Sequence, residues 1–279
     1  MKKFILLCFF TTYIFAKPII SVSILPLEYF VQKIAGTSVE IHTLLPDNAD
    51  EHTFEPKPQS LLTLEKSKIY FTIGLEFERP MLNKFQSLFK QTKIINLNDN
   101  IPLIEKKHSH AHEGHELHSK DPHTWLDPIL VKSQAKTIAK ALIEQFPQNK
   151  KMYEENLTLF EKELDSINET IKTKLQDIKH NNFIVYHPSW SYFAKRYNLT
   201  QIPVEVDGKE PKPKALMNLI QIAKEKNIKV IFVQAGFAQN ASALLAKELN
   251  ANVVQINHLS KDWQNELLKS VNALENSLK

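Results

Sequence analysis

The chain carries eleven histidines, and their settings say more than their number. Five fall in one hydrophilic run, His108, His110, His112, His115 and His118, with Lys106, Lys107, Glu113, Glu116 and Lys120 interspersed. Three others sit in segments bounded by proline. His52 follows Glu51 in a stretch fenced by Pro46 and Pro56. His123 lies in Asp121-Pro122-His123-Thr124-Trp125-Leu126-Asp127-Pro128, and His187 in Val185-Tyr186-His187-Pro188-Ser189-Trp190. Neutral imidazole is the commonest metal ligand at physiological pH. Three imidazoles and one oxygen make a tetrahedral zinc site, with Zn–N distances near about 2.0–2.1 Å. Asp127 is close enough in sequence to His123 to accept a hydrogen bond from its ring. His42 and His180 lack such settings and read as ordinary surface or core groups. The run from His108 to His118 reads as a low-complexity surface segment that collects additional zinc.

Ligands so far apart in sequence need a scaffold that brings them together. From Lys17 to about Asn98 short apolar runs alternate with helical patterns: strands over Ile19–Leu25, Val39–Leu45, Lys68–Ile73 and Lys93–Leu97, helices over Leu27–Ala35, Pro58–Lys66 and Glu78–Phe89. The alternation returns after Asn182, with strands at Phe183–Tyr186, Gln201–Val206, Val230–Gln234 and Val253–Ile256. Helices are expected there at Trp190–Tyr197, Pro213–Lys226, Ala241–Leu249 and Trp263–Leu278. Such alternation implies parallel sheets covered by helices. The fold class is therefore α/β, with two lobes, residues 17–148 and 180–279. Between them, residues 149–179 contain neither Gly nor Pro, and Tyr153, Leu157, Phe160, Leu164, Ile167, Ile171, Leu175 and Ile178 recur every four or three positions. That pattern predicts one long spine helix along both lobes. His52, His123 and His187 follow apolar segments or lie in loops, where α/β lobes present ligand groups near the carboxyl ends of their strands.

Composition narrows the chemistry. Met1-Lys2-Lys3 followed by an apolar run from Phe4 to Phe15 and a small Ala16 has the anatomy of a signal peptide over residues 1–16. The run is too short to cross a bilayer of about 30 Å. The mature chain is expected to start at Lys17 in the periplasm. Losing Lys2 and Lys3 lowers the formal charge by two, from +4 to +2, which nominates no nucleic acid or anionic surface as partner. Cys8 is the only cysteine and lies in the leader, so a metal must be held by imidazole and oxygen. The five glycines form no phosphate-binding loop, which argues against a nucleotide enzyme.

At Glu51-His52, at Asp121-Pro122-His123-Thr124-Trp125-Leu126-Asp127-Pro128 and at Tyr186-His187-Pro188-Ser189-Trp190-Ser191-Tyr192-Phe193-Ala194, the chain resembles the cluster A-I periplasmic binding proteins. These are the zinc and manganese receptors of ABC importers, of the ZnuA or TroA type. The resemblance spans essentially the whole mature chain. It implies two lobes on a rigid helix, one metal in the cleft, a membrane permease as partner, and His52, His123 and His187 as ligands. A monomer is expected. One departure stands out: the family commonly places a carboxylate ligand near the end of the last strand, where this chain has Gln255-Ile256-Asn257-His258-Leu259-Ser260. Glu51 or a water is then expected as fourth ligand, with Asn257 nearby as a hydrogen-bond partner and His258 also within reach. Three histidines without that acid favour Zn²⁺ over Mn²⁺, which prefers more oxygen ligands; the His-rich segment resembles those of zinc-type members.

Three histidines with an open fourth position would also suit a catalytic zinc. No His-Glu-x-x-His arrangement or oxyanion motif accompanies them here, so a hydrolase or hydratase is the weaker reading and a non-enzymatic receptor the stronger. Ligation requires neutral imidazole, so affinity is expected to fall as pH drops through the ordinary histidine range near about 6.5.

Overall fold

A computed structural model describes residues 16–88, 90–105, 120–205, 209–234 and 240–279. Residues 1–15 of the expected leader and the run His108–His118 lie outside the described residues. The first lobe is built on β1 (Ile19–Val22), β2 (Glu40–Thr43), β3 (Ile69–Thr72) and β4 (Lys93–Asn96), and the second on β5 (Asn182–Val185), β6 (Thr200–Pro203), β7 (Val230–Gln234) and β8 (Asn252–Ile256). The sheets run in the orders β2-β1-β3-β4 and β6-β5-β7-β8, with every pairing parallel. The two lobes thus repeat one topology. A parallel sheet must be covered on both faces, and β3 and β7 are buried at every residue.

Helices supply the cover. In the first lobe these are α1 (Leu25–Ala35), α2 (Pro58–Lys66), α3 (Arg79–Leu88) and α4 (Pro128–Gln145). The second lobe has α6 (Ser191–Arg196), α7 (Pro213–Glu225), α8 (Asn240–Leu249) and α9 (Trp263–Leu278). Helix α4 is an element that the strand–helix alternation did not announce. Asp127 caps it by accepting hydrogen bonds from the Ile129 and Leu130 amides, and Pro128 opens its first turn. Its buried face mixes Val131, Ile138 and Leu142 with Ala135, Ala139, Ala141 and the polar Gln134.

The spine is a single helix, α5 (Lys150–Leu175), of 26 residues and about 39 Å at the usual rise per residue. It stops four residues short of the expected end: beyond it the Lys179 and His180 amides bond to the Leu278 carbonyl and turn the chain toward the end of α9. Its first half packs on lobe one, where the Asn156 side-chain amide donates to the Ile34 carbonyl and Phe160 meets Tyr29 and Phe30. Its second half packs on lobe two, where Tyr197 donates to Asn168 and Lys174 pairs with Glu275. Helix α9 closes the frame, with Trp263 edge-on to Phe30 of the first lobe at 5.2 Å between centroids. One core therefore runs through both lobes along α5.

Leu164 lies near the middle of that helix and is fully buried. Leu164→Ala should lower stability by about 2–5 kcal/mol through lost transfer energy and the cavity left behind. Urea unfolding should show a lower midpoint at unchanged slope; a midpoint equal to wild type would mean that the spine does not bear on the core as described.

Candidate metal centre

His187 and His258 are set just past the carboxyl ends of β5 and β8, where open α/β sheets bind their ligands, and His52 and His123 come from longer connections after β2 and β4. His52 lies in the loop after β2, and the Asp50 carboxylate accepts from the His52 amide at 2.9 Å and from the Thr53 hydroxyl. His123 follows the Asp121-Pro122 turn and precedes a single 3₁₀ turn, Thr124–Leu126. Tyr192 of the second lobe donates to the Asp121 carbonyl at 2.7 Å, which fixes that turn across the cleft. His187 lies two residues beyond β5, and its backbone is gripped by the Gln234 amide, which accepts from His187 N and donates to His187 O. His258 lies two residues beyond β8.

These loops converge on one carboxylate. Glu51 Oε1 lies 2.9 Å from His123 Nε2, 3.4 Å from His187 Nε2 and 3.9 Å from His52 Nε2. Glu51 Oε2 lies 3.7 Å from His258 Nε2. The nitrogens are close to one another as well, with His187 Nε2 at 3.2 Å from His123 Nε2 and His52 Nε2 at 3.3 Å from His187 Nδ1. Glu51, His123, His187 and His258 are buried, while His52 is partly open at the outer edge. Two donor groupings share Glu51: one with His123 and His258, the other with His52 and His187.

Further carboxylates orient the rings. Asp121 Oδ1 lies 2.6 Å from His123 Nδ1, and Glu205 Oε1 lies 2.7 Å from His187 Nδ1. A carboxylate only accepts, so each Nδ1 carries the hydrogen and each Nε2 faces the cluster, the arrangement typical of metal-binding histidines. When both rings are neutral, two lone pairs confront each other and Glu51. A cation, proton or metal, is needed between them. Asp121 therefore takes the role that the sequence suggested for Asp127, which instead caps α4 and pairs with Arg196. Glu205, and Glu76 at 3.4 Å from His52 Nδ1, were not singled out in the sequence. Glu76 sits in a turn shaped by Glu78, whose buried carboxylate accepts from the Ile73, Gly74 and Leu75 amides. Asn257 stands beside the cluster in sequence, but its hydrogen bonds go elsewhere: its side chain donates to Asp47 at 3.3 Å and accepts from the Leu259 amide at 3.0 Å.

The charges follow from the geometry. Burial alone would push His187 down, but hydrogen bonds to Glu205 and Glu51, and their charges, push it up to about 9. Burial likewise opposes charge on His123, and the Asp121 and Glu51 carboxylates outweigh it. Burial would raise Glu51, yet the charge and hydrogen bonds of the surrounding imidazoles hold it well below the usual carboxylate range. His258 goes the other way, pushed down chiefly by burial. Without metal the surroundings thus favour a proton on His187 and push His123 in the same direction, while Glu51 is ionised.

Two lobes on one spine, with imidazoles from both meeting at a buried carboxylate, define a two-lobed metal-binding receptor. The family model described as ZnuA, zinc-uptake complex component A, periplasmic, matches residues 20–276, and the chain belongs to that family. It is 26% identical over 269 residues to the high-affinity zinc uptake system protein ZnuA of Bacillus subtilis (strain 168), covering 91% of this chain and 83% of that protein. A crystal structure of ZnuA superposes with a TM-score of 0.88 at 40% identity, covering 95% of this chain and all of the other. A zinc-bound deletion mutant of ZnuA superposes with a TM-score of 0.87 at 40% identity, covering 95% of this chain and 99% of the other.

In the metal-free protein, histidine NMR should show the His187 ring titrating near pH 9, well above ordinary imidazole. Glu205→Gln removes the carboxylate that accepts from His187 Nδ1 and should bring that midpoint down. A wild-type midpoint near about 6.5 would contradict the charge arrangement described.

Proposed function

We propose that the protein captures Zn²⁺ in the periplasm, after removal of its leader, and delivers it to the permease of an ABC-type importer. His52, His123 and His187 are the imidazole ligands in this reading, and Glu51 supplies the oxygen. The observation that carries it is the spacing of the donors: Glu51 Oε1 lies 2.9–3.9 Å from Nε2 of the three rings, and His187 Nε2 lies 3.2 Å from His123 Nε2. The edges of a tetrahedron around zinc are about 3.3 Å when its bonds are about 2.0–2.1 Å. The zinc uptake named for the family supports the same ion.

The same site supports zinc over manganese. Manganese prefers carboxylate, carbonyl and water, whereas imidazole suits zinc, and nitrogen dominates this donor set. A hydrolase reading is less well supported, because a catalytic zinc keeps one position open for water. Here Glu51 and His258 stand at the cluster in addition to three histidines. The described residues include no helix long and apolar enough to cross a membrane, in keeping with a receptor that meets its permease from outside the bilayer.

Binding the dication displaces the proton that the metal-free surroundings favour on His187, and any that His123 carries. Metal affinity is lost as pH falls below the metal-free pKa of each protonated ligand, by up to about tenfold per pH unit for each proton displaced. With His187 at about 9, the decline starts well above the ordinary histidine range. Chelator-competition titrations should therefore show apparent zinc affinity still rising between pH 7 and pH 9; a flat profile there would argue against His187 as a ligand.

Metal analysis and zinc titration of the mature protein should give one tight cleft equivalent. His187→Ala should weaken it by at least about a hundredfold, since it removes a ligand and unpairs Glu205, where loss of an orienting contact alone costs about 10–100-fold. Excess Mn²⁺ should not displace the zinc. Undiminished tight binding in His187→Ala would place the metal elsewhere, with the His108–His118 segment as the first alternative.

A further inference from the structure

His258 is the one imidazole of the cluster that the expected ligand set does not use. It is 5% exposed, and neither ring nitrogen has a hydrogen-bond partner among the described residues. Glu51 Oε2, the oxygen that faces it at 3.7 Å, is also buried without a hydrogen bond. Buried polar groups are ordinarily paired, so two unpaired ones facing each other at the edge of a donor cluster call for a common partner. The ring is held in place independently of any ligand. Its backbone carbonyl accepts from Trp125 Nε1 at 2.8 Å, and its plane lies within 16° of the Trp125 ring at 6.3 Å between centroids. Trp125 is in turn fixed by Trp263 Nε1, which donates to its carbonyl at 2.8 Å. Asn257 braces the loop from the other side: its Oδ1 accepts from the Leu259 amide and its Nδ2 donates to Asp47 of the first lobe.

We propose that His258 is a metal ligand through Nε2, supplied by the second lobe from the position beside Asn257. The inference rests on the receptor reading above and deepens it. His52 and His123 come from the first lobe, His187 and His258 from the second, so two imidazoles from each side surround Glu51 and His258 joins as a fifth donor beyond the tetrahedral four. Asn257 is a positioning residue in this arrangement; its short polar side chain ties the turn that aims His258 inward. The acidic ligand associated with this loop in the family pattern is replaced by a neutral nitrogen donor. A fourth imidazole moves the site further toward zinc and away from manganese.

The test uses the full mature chain labelled with ¹⁵N-histidine, with ZnCl₂ and MnCl₂ as probes. On adding one equivalent of zinc, the His258 Nε2 resonance, identified by its absence in His258→Phe, should shift to the range of a coordinated nitrogen. His258→Phe keeps a flat ring against Trp125 but offers no donor. It should bind zinc at least about tenfold more weakly than wild type, within the range that removal of a contact to a metal site produces, with a smaller zinc-to-manganese affinity ratio. An unmoved His258 resonance overturns the proposal whether or not the variant folds, and so does zinc affinity within twofold of wild type in a folded His258→Phe. If His187→Ala abolishes tight binding while the His258 resonance stays unmoved, the receptor reading stands and only His258 is removed from the ligand set. Tight binding that survives in His187→Ala overturns both.

Discussion

Glu51 is a buried carboxylate whose ion-pair contacts, among the described residues, are all histidines. A charge in that position is costly unless compensated. Lysine or arginine would compensate it permanently and leave no work for a metal. Imidazole can compensate it in two ways, by carrying a proton or by sharing a cation, and the choice between them is what makes the site exchangeable. The Asp121 and Glu205 carboxylates beyond the rings add to the negative charge and fix the Nδ1 hydrogens, so that the Nε2 atoms remain directed at Glu51. The cluster is an assembly of donors that holds together because something positive belongs at its centre.

Such an assembly requires that loops from two lobes meet with sub-ångström fidelity, and the fold supplies this through repetition and bracing. Both sheets follow the same strand order, and their carboxyl ends face a common cleft. The long helix α5 joins the cores of both lobes along one apolar face. Near the metal centre the lobes are also cross-linked: Tyr192 bonds to the Asp121 carbonyl, Trp125 to the His258 carbonyl, Trp263 to the Trp125 carbonyl, and Arg196 pairs with Asp127. These contacts involve the residues flanking the ligands, so relative movement of the lobes would be transmitted directly to the rings. Contacts of this kind preorganise a site, and the more order is present beforehand, the less must be imposed when a ligand arrives.

The sequence made the scaffold legible wherever periodicity was strong. The bounds of α2, β7 and α9 match the patterns read at Pro58–Lys66, Val230–Gln234 and Trp263–Leu278, and the unbroken stripe from Tyr153 to Leu175 corresponds to a single helix. Helix α4 was missed although Val131, Ala135, Ile138 and Leu142 recur at helical spacing and Asp127-Pro128 is a cap signal that could have exposed it. The convergence of His52, His123 and His187 could be anticipated from loops placed after strands. Their partners could not be read so easily. Glu205 lies 18 residues from His187 and reaches it only because β5 and β6 are neighbours. Asp121 was visible beside His123, but two acids in one short segment compete for the same role, and sequence distance alone does not decide between them.

The placement of His258 shows why a ligand set is harder to read than a fold. Side-chain direction after a strand depends on one or two loop residues, and a shift by a single position exchanges an amide for an imidazole. In this chain Asn257 bonds toward Asp47 while the ring of the next residue lies against Trp125 and faces Glu51. A neutral amide is a weak partner for a dication, whereas an imidazole is a strong one. The same exchange bears on what the site can do. A catalytic zinc needs a position left to water, and crowding the cluster with buried donors from both lobes takes that position away. Donor number, burial and the bracing of the lobes thus act in one direction, in support of the receptor reading proposed above.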